Sequence, residues 1–220
     1  MIEKQYEIED YSNTFKKFPG TKFMGSKNKI IYDIWNILKK YDFSSFLDGF
    51  AGSNVIAYFM KAKGKKVVTN DFMSISYLGA KAIIENSSEQ ISSNDLDFLL
   101  ENKNTANFIS ENFKELYFSD EDNAFLDKIR FNITQLDNEY KKALALSALI
   151  KACIKKRPRG IFTFTGNRYD DGRLDLQKSL YKHFIDNISI FNNAVFDNNT
   201  HCKAFNKLTQ RLEVNTDLVY

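Results

Sequence analysis

The stretch Ser45-Phe46-Leu47-Asp48-Gly49-Phe50-Ala51-Gly52-Ser53-Asn54 decides the fold. Its first half is short, aromatic and apolar, and its second half is a glycine turn. A buried strand running into a tight turn is the reading that fits both. Val55 to Lys63 then has the spacing of a helix, stopped by Gly64. Lys66-Val67-Val68-Thr69-Asn70 is a second short strand, closed by Asp71, and Ile75 to Ile84 is helical again. Strand, helix, strand, helix within so short a span is a βαβ pattern, which calls for a parallel sheet and an α/β fold. Upstream, Ile30, Ile31, Ile34, Trp35, Ile37 and Leu38 predict a helix from about Ser26 to Lys40.

Beyond residue 84 the character changes. Residues 85–127 hold 11 acids and two lysines, with helical periodicity dominant. Residues 141–160 hold seven bases and no acid. The formal charge of +3 therefore averages a block of +7 against −4 for the other 200 residues. A helix from about Leu174 to Phe191 follows the turn Tyr169-Asp170-Asp171-Gly172. Short apolar segments return at Ala194-Val195-Phe196, His201 to Phe205 and Asp217-Leu218-Val219-Tyr220. The organisation expected is an α/β part at 1–84, a helical insertion at 85–192, and a return to the sheet at 193–220.

Composition narrows the chemistry. With 220 residues and 43% of them hydrophobic, the chain can bury a core. The two cysteines, Cys153 and Cys202, are far apart and form no metal-binding or disulfide pattern. His183 and His201 are isolated, so no metal site is expected. There is no apolar run of membrane-spanning length and no leader-like apolar stretch near Met1, so a cytoplasmic protein without a membrane partner is expected. The two prolines, Pro19 and Pro158, are not adjacent, which excludes chemistry that needs a Pro-Pro pair within these residues.

Four constellations could carry function. Asp48 at a strand end, with the Gly49 to Gly52 turn leading into a helix, suits a nucleoside cofactor, because the backbone can approach the ligand closely. An ordinary strand–helix connection explains the same residues. Asp71, at the end of the next strand, is placed to hold ribose hydroxyls or to cap the following helix. In Phe23-Met24-Gly25-Ser26-Lys27 the aromatic could stack on a base and Lys27 pair with a carboxylate; a hydrophobic staple with a Ser26 cap is the alternative. The fourth is the basic run Lys151 to Arg159, continued by Phe162, Phe164, Asn167, Arg168, Tyr169 and Arg173. Cations interleaved with aromatics and amides suit a nucleic-acid surface, while a basic helix end in water is the plainer account.

Taken in order, these segments resemble the Dam-type family of adenine-specific DNA methyltransferases. Phe23-Met24-Gly25-Ser26-Lys27 resembles its opening motif, Asp48-Gly49-Phe50-Ala51-Gly52-Ser53-Asn54 its acid-x-Phe-x-Gly-x-Gly motif, and Asn70-Asp71 its ribose-binding acid. Lys156-Arg157-Pro158-Arg159-Gly160 and Arg168-Tyr169-Asp170-Asp171-Gly172-Arg173 resemble the target-recognition insertion of one branch. Asp217-Leu218-Val219-Tyr220 resembles the strand that leads into the catalytic Asp/Asn-Pro-Pro-Tyr/Phe loop. Asn54 departs from the pattern, standing where the family usually has glycine; Asn tolerates left-handed geometry.

The resemblance implies a Rossmann-like methyltransferase fold with an incomplete sheet and a helical DNA-recognition insertion. It implies S-adenosylmethionine as cofactor, held by Phe23, Lys27, Asp48, Phe50, Gly52 and Asp71. It implies double-stranded DNA as substrate, met by Lys156, Arg157, Arg159, Asn167, Arg168, Tyr169 and Arg173. The activity implied is methyl transfer to the exocyclic amine of adenine in a restriction-modification system. No catalytic residue is assigned, because the Pro-Pro loop would follow Tyr220. On that reading the chain is inactive alone, being either a fragment or a split subunit whose partner polypeptide supplies the loop. The alternative is a non-enzymatic DNA-binding or scaffold remnant.

Overall fold

The computed structural model describes residues 13–20, 24–101, 107–114, 116–157 and 173–220. The chain divides into two compact units: residues 1–89 with 193–220, and residues 90–192.

The first unit is built on four parallel strands in the order β3-β2-β1-β4. They are β1 (Ser45–Asp48), β2 (Lys66–Asn70), β3 (Lys203–Phe205) and β4 (Leu218–Val219). The register sets Asp48 beside Thr69 and Asn70 beside Phe205. Phe46 and Leu47 of β1 and Val67 and Val68 of β2 are all buried. That is why these strands read as unbroken apolar runs rather than alternating ones. A 3-10 turn at Lys27–Ile30 leads into α1 (Ile31–Leu38). The crossover helix α2 (Val55–Ala62) buries every residue from Val55 to Lys61. The helix α3 (Ser74–Ala80) runs on into a π-helical turn at Lys81–Glu85. Glu85 stays with the sheet because its carboxylate accepts from the Ala204 amide at 2.9 Å and pairs with Lys81 at 3.1 Å.

Lys61 is the other fixed point. It is fully buried, and its ammonium donates to the carbonyls of Ile83 (3.1 Å) and Asn86 (2.7 Å) above the ring of Phe196. Burial lowers its pKa to about 8. Phe196 lies outside any strand: Ala194 ends a helix, and the Phe196 ring packs edge-on against Tyr58. At the far edge, Asp217 ties β4 to β1 by accepting from the amides of Ser44 and Ser45 and the Ser44 hydroxyl, all within 2.9 Å.

In the second unit every described element is helical: α4 (Ser93–Leu100), α5 (Phe108–Asn112), α6 (Asp120–Thr134), α7 (Glu139–Lys156), α8 (Leu174–Gln177) and α9 (Leu180–Ala194, whose last two residues belong to the first unit). Caps explain several starts. Ser92 and Asp95 form a reciprocal capping box, Ser119 caps α6, and Asn138 caps α7. The single helix expected over 174–191 is instead two. Lys178 is extended (ψ 134°), and its carbonyl accepts from the Lys156 ammonium at 2.9 Å, as does that of Leu176 at 3.0 Å. Carbonyls taken by a neighbouring helix end the run; apolar spacing alone does not reveal this.

Candidate functional site

The strand order reverses at β1: β2 lies on one side and β4 on the other. In open parallel sheets the crevice at such a reversal, beyond the carboxyl ends of the strands, is where ligands bind. Asp48 is the last residue of β1, so its carboxylate sits at that end.

Asp48 is buried, 2% exposed, and its pKa is pushed up from 3.8 to about 7. Burial is the main cause and the charge of Asp71 adds to it, while the amides of Phe50 and Ala57 pull the other way. Among the described residues no cation neutralises it. Burial, then the nearby Asp48 carboxylate, also push up the phenol of Tyr220. The Tyr220 carbonyl accepts from the Gly49 amide at 3.3 Å, which brings the end of β4 onto the same turn.

The turn itself is held from β2. The Ala51 amide donates to the Asn70 carbonyl at 3.0 Å, and the Gly52 amide donates to Asp71 Oδ2 at 2.7 Å. Asp71 Oδ1 accepts from the Met73 amide at 2.8 Å. Each carboxylate oxygen keeps one lone pair for a ligand hydroxyl. Asp71 caps no helix: the N-cap of α3 is Met73, without a side-chain cap. Gly52 is left-handed (φ 50°), as is Asn54 (φ 63°). The Asn54 side chain donates to the Ser76 carbonyl at 2.8 Å, so the residue at the departure from the family pattern serves as a brace.

Lys27 is exposed and folds back on its own loop, donating to the Gly25 carbonyl at 2.9 Å. Gly25 is left-handed (φ 76°) with open space where a Cβ would stand. Ser26 caps nothing; its hydroxyl lies 3.2 Å from that of Ser53, which joins the opening loop to the glycine turn. Phe50 is 78% exposed and Phe72 is 71% exposed. Phe23 lies outside the described residues.

A third wall had no sequence signal of its own. Asn206 donates to the carbonyls of Asp71 (2.8 Å) and Phe72 (2.9 Å), and the Thr209 hydroxyl donates to the Gly49 carbonyl (3.2 Å). The one cue available was position, because these residues follow an apolar segment that forms β3.

The donor set suits a cationic nucleoside. An un-neutralised buried carboxylate favours positive charge, and Asp71 offers hydroxyl acceptors. The left-handed glycines admit close backbone approach, and the exposed aromatics suit a flat base. The geometry thus fits S-adenosylmethionine. Among the described residues no group of His, Cys, Asp and Glu could hold a metal.

In the second unit Lys156 donates to Leu176 and Lys178 and lies 4.0 Å from Asp122. Arg157 is 6% exposed, donates to the Tyr117 carbonyl and stacks over Tyr117 and Phe118. Arg173 is exposed. Arg159, Asn167, Arg168 and Tyr169 lie outside the described residues.

The sequence pattern of the D12 class N6 adenine-specific DNA methyltransferases matches residues 23–220. The Type II methyltransferase M2.HphI of Haemophilus parahaemolyticus is 31% identical over 219 residues, covering 93% of this chain and 65% of that protein. The modification methylase StsI of Streptococcus sanguinis is 29% identical over 224 residues, covering 90% of this chain and 33% of that protein. The chain thus spans less than two thirds of the length of these curated relatives. No solved structure matches significantly. Among the described residues no helix is long and apolar enough to cross a membrane.

Proposed function

The chain belongs to the D12 class N6 adenine-specific DNA methyltransferase family, and from that premise we infer that the whole protein methylates the exocyclic amine of adenine in double-stranded DNA, in the cytoplasm, as part of a restriction-modification system. The observation that carries this reading is the buried Asp48, with no cation among the described residues to neutralise it, beside Asp71 at the carboxyl end of a parallel sheet. S-adenosylmethionine supplies an electrophilic methyl group on a sulfonium. Asp48 balances the positive charge of the bound cofactor. Asp71 accepts from the ribose hydroxyls, while Gly52 lets the backbone approach. Lys27 turns from the Gly25 carbonyl toward the cofactor carboxylate, and Phe23 and Phe50 cover the flat and aliphatic parts.

For DNA, residues 85–192 form the recognition insertion. Arg159, Asn167, Arg168, Tyr169 and Arg173 meet phosphates and base edges. Lys156 and Arg157, at the end of α7, are held by carbonyls of their own unit. The 220 residues contain no Pro-Pro pair. In this reading the loop that grips the flipped adenine comes from further polypeptide, in the same protein or a second one, and these residues alone do not methylate.

Calorimetric titration of S-adenosylmethionine tests the pocket. Binding is expected, and Asp71→Ala should weaken it by about 30-fold, since one oxygen pair and the Gly52 tie are both lost. A folded protein that binds neither S-adenosylmethionine nor its demethylated product sinks the cofactor assignment. Salt-dependent DNA binding without cofactor affinity would establish a non-enzymatic remnant instead.

A further inference from the structure

We propose that the side-chain amide of Asn70 is a positioning group that sets the width of the cofactor cleft, by fixing the turn after β1 against the Asn206–Thr209 segment after β3. The inference rests on the cofactor reading above. Asn70 is the last residue of β2 and has no solvent exposure. Its Oδ1 accepts from the Lys207 amide at 3.1 Å, and its Nδ2 donates to the Lys207 carbonyl at 3.1 Å. The same Nδ2 lies 3.4 Å from the Gly49 carbonyl and 3.4 Å from Thr209 Oγ1. Thr209 closes the triangle by donating to Gly49.

Asn70 therefore holds two segments that have no strand pairing with each other and are 160 residues apart at Gly49 and Thr209. Both flank Asp48 and Asp71, whose spacing governs how the cofactor is held. Only a carboxamide supplies two donors and an acceptor in one planar group of this size. Asp keeps the shape but offers acceptors alone, and it faces two carbonyls. Apolar replacements leave the Lys207 amide and carbonyl without this partner.

The test uses the full-length protein with S-adenosylmethionine as probe. Cofactor affinity and the urea midpoint without cofactor are measured for wild type, Asn70→Asp and Thr209→Val. Asn70→Asp should weaken binding about 30-fold at pH 8. Its deficit relative to wild type should shrink as pH falls, because a protonated carboxyl regains one donor. Thr209→Val should weaken binding about 3-fold with an unchanged midpoint. A purely architectural Asn70 would lower the midpoint without a pH-dependent affinity ratio, and that outcome overturns the proposal. If Asn70→Asp does not fold, Thr209→Val decides, and wild-type affinity in that variant overturns it. If wild type itself binds no cofactor, the underlying reading fails instead.

Discussion

Buried acids in the two units, Asp127 in one and Asp48 in the other, are held to opposite ends. In the helical unit Asp122, Asp127 and Arg157 all find partners, while Lys151 is buried over the Phe191 ring with its pKa lowered to about 8. Asp127 accepts from the amides of Ile109 and Ser110 and from the Ser110 hydroxyl, all within 2.9 Å, and so starts α5 from outside it. Asp122 receives Lys156, and Arg157 rests on a carbonyl and two rings. In the sheet unit, among the described residues, Asp48 has backbone amides and a second acid close by and no cation. A satisfied buried charge is architecture. An unsatisfied one is a vacancy that a ligand of opposite sign fills, and it costs stability until then.

The sharpest way to break this contrast is Asp48→Asn. It should lower cofactor affinity by about 100-fold while raising the stability of the cofactor-free protein, since a carboxylate with its pKa near 7 costs on the order of 4 kcal/mol when ionised. Loss of both binding and stability would place Asp48 with the architectural ions. Asp127→Ala should do the reverse, destabilising by about 3 kcal/mol with cofactor affinity unchanged, as read by urea unfolding and titration. The pH dependence tests the same point with two signs. The folded pKa of Asp48 lies above its unfolded value of 3.8, so its penalty is full above about pH 7 and is relieved as pH falls toward 4. Cofactor affinity should run the other way, falling up to tenfold per unit below about pH 7. Parallel trends would contradict the assignment. Lys156→Met should destabilise by about 1–2 kcal/mol and change the salt slope of DNA binding by less than one ion, as expected for a cation spent on carbonyls. The smallest effect belongs to Asn54→Gly. Relief of the left-handed backbone and loss of the Ser76 brace should cancel to within about 1 kcal/mol.

What the sequence showed was local. Asp48, Gly52 and Asp71 sit on consecutive elements, and apolar runs that end in acids are enough to place all three at one end of a parallel sheet. Asn206 and Thr209 were invisible because tertiary pairing of β3 with β2 brings them to the site from the far side of the insertion. The partners of the basic run at the end of α7 were invisible for a related reason. A lysine in water and a lysine on two carbonyls are the same letter, and only the partners distinguish them. The break at Lys178 has the same cause, since the cation that ends the helix belongs to another element.

The grip of α2 on both ends of the excursion has a consequence for evolution. Lys61 holds the carbonyls of Ile83 and Asn86 on the way out, and lies over Phe196 on the way back. The Asn198 side chain returns a hydrogen bond to the Lys61 carbonyl at 3.1 Å. The sheet unit thus closes on a clasp made wholly of its own residues. The compact unit of residues 90–192 begins and ends beside that clasp, so a change in its length should leave the strand order of the sheet intact.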